Sequence, residues 1–298
     1  MKNKKIGMAI IFLCLVCSGC TVILLELFSD VFGRFDGQGP FDSWVVNYPR
    51  EEIFFYSGNN KLQGFIYGAG NNKGLVVISP GIYSYADEYD KMIRFLIDNE
   101  WRVFSYNCTG VDGSEGDSMR GLSQGILDLD AALRYIGNSN DLLDLPVMLM
   151  GFSWGGFSVC AALEYDHNIT AVVSFAGFNS TQEAMKHQLV EEVGGVFYVI
   201  SSQLWALEKQ LFGETAKLTA VDGINKSGIP VMLVLCENDD IIPPDTISIY
   251  AHKDKINNPN FQSLYLEGEE AYGHYFKNYP EGKELYDRVN EFLGNSLD

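Results

Sequence analysis

Short apolar segments alternate along this chain with segments of helical periodicity, and this alternation constrains the fold more than any other feature. The apolar segments are nearly continuous runs, such as Leu75-Val76-Val77-Ile78, as is typical of parallel strands that are buried on both faces. We predict strands at 74–79, 102–106, 147–150, 169–175, 229–236 and 261–266, and helices at 85–99, 122–136, 154–163 and 284–293. The chain is therefore predicted to be an α/β protein with a mostly parallel central sheet and helices on both faces.

Two shorter regions precede this pattern. Residues 26–50 are rich in turn-forming residues around Gly37-Gln38-Gly39-Pro40 and are predicted to be a linker. Residues 52–56 and 61–67 then flank Gly58-Asn59-Asn60, which predicts a β-hairpin. We place one α/β domain over residues 51–298, a length that a single domain can reach.

One interval, residues 176–228, interrupts the alternation because it shows no strand pattern. Ser180-Thr181-Gln182-Glu183 is a capping box, which predicts the start of a helix. Gly194-Gly195 ends that helix, and a second helix is predicted over 196–212. We expect this interval to form a small helical lid over the carboxyl edge of the sheet, where ligands bind in such architectures.

The chain is strongly acidic. Lys and Arg total 21 residues and Asp and Glu total 39, which gives a formal net charge of −18. This balance argues against a nucleic-acid partner, because phosphate binding requires clustered positive charge. It also argues against adhesion of the domain itself to anionic lipid by charge.

The N-terminal segment has the features of a targeting sequence. Three lysines lie within the first five residues, and an uncharged run of 20 residues follows at 6–25, which is long enough to cross a bilayer as a helix. Val16-Cys17-Ser18-Gly19-Cys20 resembles a lipobox, with Cys20 as the residue that would be lipidated. The alternative is an uncleaved signal anchor. Both interpretations place residues 1–25 outside the fold and tether the domain through its N-terminus in the cell envelope, on the extracytoplasmic side.

The cysteines do not indicate a disulfide framework. Three of the six lie in the targeting segment, and the other three, Cys108, Cys160 and Cys236, are widely spaced and odd in number. Cys160 and Cys236 lie in apolar stretches, so we predict that they are inert core residues.

The segment Gly151-Phe152-Ser153-Trp154-Gly155 matches the pattern G-x-S-x-G. The predicted strand ends at Met150, and a predicted helix follows the serine. Such a strand-to-helix turn exposes a nucleophilic hydroxyl at the carboxyl edge of the sheet. The alternative is that Ser153 is an ordinary helix N-cap.

A serine needs a base, and the base needs an orienting acid. The chain has four histidines, at positions 167, 187, 252 and 274. In this architecture the order is serine, acid, histidine, and His274 and Asp239 each follow a predicted strand, so we predict them as base and acid. Asp240 is the alternative acid, His187 the alternative base, and either aspartate could instead be a turn residue before Pro243.

The developing oxyanion needs preorganised N–H donors. We predict the backbone N–H groups of Trp154 and Ile82, the latter from the loop Ser79-Pro80-Gly81-Ile82-Tyr83 that follows the first parallel strand. The same loop sequence is also compatible with a plain Pro-Gly turn.

Taken together, these motifs resemble those of α/β-hydrolase-fold serine hydrolases over most of residues 50–295. The segment Gly110-Val111-Asp112-Gly113-Ser114-Glu115-Gly116 is similar to the R-G-x-G-x-S-x-G stretch of that family. Two positions depart from the family pattern: Pro80 stands where a histidine is usual, and Thr109 stands where an arginine is common. The general style is similar to the bacterial serine-aminopeptidase-like and acyl-ester-hydrolase branches.

The resemblance implies hydrolysis of a small-molecule carboxylic ester through an acyl-enzyme on Ser153. Peptidase, thioesterase and acyltransferase activities would use the same triad, and a non-catalytic, envelope-tethered binding protein is a further alternative. No metal or organic cofactor is implied, because the sequence contains neither an H-E-x-x-H motif nor a P-loop. The sequence does not indicate an oligomeric state.

Overall fold

The computed structural model describes residues 31–37, 48–193, 198–268, 271, 273–276, 279–280 and 284–297. The predicted targeting segment at 1–25, including Cys20, lies outside these residues. None of the helices in the described ranges combines the length and the apolar character that a membrane crossing requires.

Within the described residues, eight strands form one mixed sheet with the order β1-β2-β4-β3-β5-β6-β7-β8. β1 and β2 form the predicted hairpin, β2 is antiparallel to β4, and all other neighbours are parallel. The strands are β1 (Arg50–Ser57), β2 (Asn60–Tyr67), β3 (Leu75–Ser79), β4 (Arg102–Tyr106), β5 (Val147–Phe152), β6 (Ala171–Phe175), β7 (Val231–Cys236) and β8 (Phe261–Leu266). The mostly parallel α/β architecture of the prediction is confirmed.

Seven α-helices are described, and six of them fall in predicted helical segments. They are α1 (Asp90–Asp98), α2 (Gln124–Gly137), α3 (Trp154–Ala161), α4 (Thr181–Val193), α5 (Tyr198–Phe212), α6 (Ala220–Ser227) and α7 (Glu284–Asn295). α1 begins later than the predicted residue 85, because the residues before it form turns. Short 3₁₀ segments lie at Ala162–Glu164, Thr215–Lys217 and Ile249–Lys255.

The helices cover both faces of the sheet. Successive residues of a strand point to opposite faces, so a continuous apolar strand gives each face an apolar surface that helices bury. In β3, Leu75 and Val77 belong to one core, whereas Val76 and Ile78 belong to the other. The first core includes buried residues of α2, α3 and α6: Leu129, Phe157 and Ile224. The second includes buried residues of α1 and α7: Ile93 and Val289.

α6 was not predicted, although it lies within the interval 176–228. Its N-cap is Thr219, whose hydroxyl accepts from the N–H of Asp222 at 3.1 Å, and Gly228 ends it with φ +63°. A Cβ placed on Gly223 would lie 2.1 Å from the carbonyl oxygen of Cys160, so α6 packs tightly on α3. α6 therefore belongs to the layer that covers the sheet. We keep the name lid helices for α4 and α5, which fall in the two helical segments predicted for the lid.

Residues 31–37, within the predicted linker, lie against the loop that follows β4. Phe32 is buried, and bridges join Gly33 to Ser118 and Phe35 to Val111. The Arg34 guanidinium donates to backbone carbonyls of that loop, including the carbonyl of Ser114 at 3.0 Å. This part of the segment is therefore held against the carboxyl edge of the sheet. We call residues 31–37 the N-terminal strap.

Candidate active site

Ser153 occupies a sharp turn between β5 and α3, as predicted. Its backbone has φ 56° and ψ −113°, a conformation that side-chain-bearing residues rarely adopt. The Ser153 N–H donates to the carbonyl of Phe175 in β6 at 2.8 Å, which helps hold the turn in place. The serine is thereby presented at the carboxyl edge of the sheet.

The glycines of the motif are required by close backbone approach. A Cβ placed on Gly151 would lie 2.2 Å from the carbonyl oxygen of Gly155. A Cβ on Gly155 would lie 2.0 Å from the carbonyl oxygen of Ser79 at the end of β3. Because these neighbours are backbone atoms, any larger residue would displace the turn that carries Ser153.

We expect Gly155→Ala to lower the free energy of unfolding by about 3 kcal/mol or more, because the extra carbon overlaps a fixed backbone group. The matched control is Gly137→Ala at the end of α2, where a new Cβ would meet nothing within 4 Å. Alanine there is expected to be neutral or stabilising by up to about 1 kcal/mol. Urea denaturation of both variants measures the difference, and equal stabilities would contradict the close approach at Gly155.

The structure brings His274 and Asp239 together with Ser153. His274 Nε2 lies 2.8 Å from Ser153 Oγ. On the other side of the ring, His274 Nδ1 lies 2.9 Å from Asp239 Oδ2 and 3.1 Å from Oδ1. An Nδ1–H that donates to the carboxylate leaves Nε2 free to accept the serine proton.

Asp239, rather than Asp240, faces the histidine. Its side chain is 1% exposed, and its Oδ1 accepts from the N–H groups of Ile241 at 3.0 Å and Ile242 at 2.8 Å. These two donors fix the orientation of the carboxylate, whereas Asp240 is exposed. Asp239 is also a turn residue, as the alternative interpretation predicted, because the same carboxylate organises the turn and contacts His274.

Two of the other histidines have carboxylate partners elsewhere. His167 Nε2 lies 2.8 Å from Asp130 Oδ1, and His252 Nε2 lies 3.2 Å from Glu183 Oε2. His187, the alternative base, lies on α4.

The loop that follows β3 lies beside the turn of Ser153. Ser79 pairs with Gly151, and a Cβ on Gly81 would lie 3.3 Å from the carbonyl oxygen of Phe152. The Gly81 N–H donates to the Tyr89 hydroxyl at 2.9 Å, so the loop conformation is fixed. Ile82 follows in this loop, and Trp154 is the first residue of α3, where N–H groups have no partner within the helix. Both predicted oxyanion donors thus belong to segments that adjoin Ser153.

Thr109, which departs from the family pattern, takes part in a buried hydrogen-bond network. Thr109 is buried, and its N–H and hydroxyl donate to the two carboxylate oxygens of Asp128 at 2.8 and 2.9 Å. Gln124 Nε2 donates to the same carboxylate at 2.8 Å, and burial raises the pKa of Asp128. This network, which joins the neutral side chains of Thr109 and Gln124 to the carboxyl group of Asp128, anchors the start of the 110–116 loop. The family commonly has an arginine at the position of Thr109. Sequence reasoning missed Asp128, which lies in an otherwise ordinary helix.

A second feature that the sequence did not indicate is a polar cavity of about 380 Å³ at the carboxyl end of β4, a volume within the range of small-molecule sites. Its lining includes Arg50, Gln63, Phe65, Tyr85, Asp87 and Asp112. Asp87 is buried and pairs with Arg50 and with the hydroxyl of Tyr67. The lining comes from several separate segments, so no local motif could reveal it.

Metal binding and thiol chemistry have little support among the described residues. Within the described residues, no group of three or more His, Cys, Asp or Glu side chains is placed to hold a metal ion. Cys108, Cys160 and Cys236 are buried, and within the described residues none of the three belongs to a disulfide. Burial raises the pKa of Cys108 and raises that of Cys160 to about 12, so neither is a ready thiolate nucleophile.

The sheet, the turn that carries Ser153 and the order of the residues around it define the class of this protein as an α/β-hydrolase-fold serine hydrolase. A family model described as serine aminopeptidase, S33, matches residues 70–221. These are 152 of the 298 residues, and the chain belongs to this family.

Solved structures share the fold at low sequence identity. An esterase of Pyrococcus furiosus is 18% identical, with 89% of this chain and 98% of that chain covered and a TM-score of 0.68. The α/β hydrolase GrgF from a Penicillium species is 16% identical, with 84% and 99% covered and a TM-score of 0.63. Est1E from Butyrivibrio proteoclasticus, solved with ferulic acid bound, is 15% identical, with 82% and 99% covered and a TM-score of 0.58. No curated protein sequence matches the chain.

Proposed function

We propose that this protein hydrolyses carboxylic esters through a covalent acyl-enzyme on Ser153, with His274 as the base and Asp239 as its orienting acid. The observation that carries the proposal is the continuous contact from Asp239 Oδ2 through His274 to Ser153 Oγ, with distances of 2.9 and 2.8 Å. These are hydrogen-bond distances at which a proton can pass from the serine to the imidazole.

In the first half of the reaction, His274 Nε2 takes the Ser153 proton as Oγ bonds to the ester carbonyl carbon. The carbonyl oxygen then carries the negative charge, and the backbone N–H groups of Ile82 and Trp154 stabilise it. The imidazolium returns its proton to the alkoxide as the ester C–O bond breaks, which releases the alcohol and leaves the acyl group on Ser153.

In the second half, water replaces the alcohol. His274 takes a proton from water, the hydroxide bonds to the acyl carbon, and collapse of the second tetrahedral intermediate returns Ser153 Oγ with its proton. Asp239 stabilises the imidazolium in both halves and stays ionised throughout. The negative charge of Asp239 is compensated locally by the N–H groups of Ile241 and Ile242.

The similar solved structures and the matching family model favour different substrates. The esterase from Pyrococcus furiosus and Est1E with ferulic acid favour an ester. The description of the family as serine aminopeptidases favours an aminoacyl amide as the second candidate. Both reactions would use the same triad, since the tetrahedral intermediates differ only in the leaving group.

The deciding experiment compares two substrate series on the full-length protein in detergent. The first contains p-nitrophenyl esters from acetate to long acyl chains, and the second contains aminoacyl p-nitroanilides, with the Ser153→Ala variant as the blank. We expect ester hydrolysis to dominate in kcat/KM, and the optimum chain length will measure the acyl pocket. A preference for the anilides would instead support the aminopeptidase, and a folded protein inert on both series would support the binding-protein alternative.

A further inference from the structure

Glu208, on the lid helix α5, is a fully buried carboxyl group that the proposed mechanism does not use. Its Oε1 accepts from the backbone N–H of Ser123 at 2.6 Å. Within the part of the chain that the structure describes, its Oε2 has no hydrogen-bond partner. Burial raises the pKa of Glu208 to about 7, partly offset by the Ser123 contact, so neutral and ionised forms coexist near neutral pH.

The loop before α2 is shaped around this carboxyl group. Ser123 is the N-cap residue of α2, yet its own side chain makes no capping hydrogen bond. Gly121 has φ +145°, and a Cβ there would lie 2.4 Å from Glu208 Oε2. Glu208 thus holds the start of α2 from a different helix, and the loop has a glycine where the carboxyl group approaches.

The same loop holds the side chain of Trp154, the residue after the candidate nucleophile. The indole Nε1–H of Trp154 donates to the carbonyl of Leu122 at 2.5 Å. The indole also fills the space beside Gly125 in the first turn of α2, where a Cβ would lie 2.7 Å from its Cε2. Trp154 is buried, so its backbone has little freedom to move independently of this indole contact.

We propose that Glu208 is a positioning residue for catalysis: through Ser123 and Leu122 it fixes the Trp154 indole and thereby the backbone N–H of Trp154 that faces the oxyanion. The inference rests on the proposed function, and it adds a link between the lid helix and the oxyanion donor. The contact to Ser123 uses an acceptor oxygen, which a carboxylate, a neutral carboxyl group and a carboxamide all possess.

Kinetics of Glu208→Ala, Trp154→Phe and the double variant test this link. We expect each single change to lower kcat about 10- to 100-fold with little change in KM, because a displaced donor weakens only transition-state binding. The double variant is expected to lose no more than the more damaging single variant, since both changes disrupt one connection. Glu208→Gln keeps the acceptor and is expected to retain most of the kcat.

Leu204→Ala is the matched control. Leu204 is buried on α5, one turn before Glu208. We expect its truncation to destabilise the lid helix while the contact between Glu208 and Ser123 stays in place. The effect of Leu204→Ala on kcat is expected to be small. In the double variant with Trp154→Phe, the fold-losses in kcat of the two single changes should multiply. A purely structural role for Glu208 predicts that Glu208→Ala behaves in the same way as Leu204→Ala, which would overturn the proposal.

A readout independent of turnover separates this proposal from the proposed function. The chain has four tryptophans, so ¹⁹F NMR of protein containing 5-fluorotryptophan resolves few signals, and Trp154→Phe assigns the one from Trp154. We expect Glu208→Ala to shift this signal and Leu204→Ala to leave it in place. An unmoved signal with unchanged kcat overturns the link alone. Absence of any Ser153-dependent hydrolysis in the wild type overturns the proposed function, and the positioning role with it.

Discussion

Replacing Ser153 with alanine is expected to lower kcat for p-nitrophenyl esters by about a million-fold and to abolish covalent labelling by a fluorophosphonate. The variant lacks the hydroxyl oxygen that lies 2.8 Å from His274 Nε2, so no acyl-enzyme can form at this position. Residual hydrolysis would come from the oxyanion donors and substrate binding alone. His274→Ala is expected to lose a similar factor, because an unassisted serine hydroxyl is a poor nucleophile.

The control for this prediction is Ser227→Ala. Ser227 ends α6 and its hydroxyl donates to the carbonyl of Ile224 at 3.1 Å, so the substitution also removes a serine hydroxyl but leaves the site untouched. Both rates should be measured with thermal melting curves to show that the variants are folded. Wild-type rates for Ser153→Ala, or fluorophosphonate labelling that persists in it, would contradict the assignment of the nucleophile.

Replacing Asp239 with asparagine is expected to lower kcat by about 10⁴-fold through a change of histidine tautomer. Oδ1 of Asp239 accepts from Ile241 and Ile242, so the asparagine oxygen would keep that position. The amide NH₂ would then take the place of Oδ2 and donate to His274 Nδ1. With Nδ1 as an acceptor, the ring proton moves to Nε2, which can no longer accept the proton of Ser153.

Asp240→Asn removes the same charge one residue further along the chain and is the matched control. Asp240 is exposed, so its replacement is expected to change kcat by less than about twofold, because exposed charges interact weakly through water. Steady-state kinetics with p-nitrophenyl acetate measures both variants. Equal losses in the two would show that net charge near the site, rather than the tautomer of His274, determines the rate.

The strands, and the meeting of Ser153, Asp239 and His274 at one edge of the sheet, could be predicted from the sequence because both depend on local signals. A buried parallel strand is a continuous apolar run, and Ser153, Asp239 and His274 each follow such a run in a fixed order. The carboxyl ends of parallel strands meet at one edge, which brings together residues far apart in the chain. The choice between Asp239 and Asp240 needed the structure, since both positions follow β7 closely.

The features that the sequence did not indicate depend on contacts between distant segments. Glu208 contacts Ser123, 85 residues earlier in the chain, and neither residue lies in a recognisable motif. The N-terminal strap likewise depends on contacts between distant segments. Its glycines suggest a linker, but its aromatic residues pack on a loop whose position depends on the whole sheet. α6 had local signals in Thr219 and Gly228, but the absence of a strand pattern around it led to its assignment to the lid.

A tether at the N-terminus, if the chain has one, would act on the site through the N-terminal strap. Residues 31–37 are held at the loop after β4, and Val31 accepts a hydrogen bond from Tyr83, the neighbour of Ile82. If residues 1–25 are an uncleaved anchor, the five residues between anchor and strap can span no more than about 18 Å. If a lipid on Cys20 is the tether instead, the ten residues between Cys20 and the strap can span no more than about 36 Å. Such a short tether would raise the effective concentration of the catalytic edge toward esters in the same lipid leaflet. Lipid-borne esters would then compete favourably with soluble esters that bind equally well.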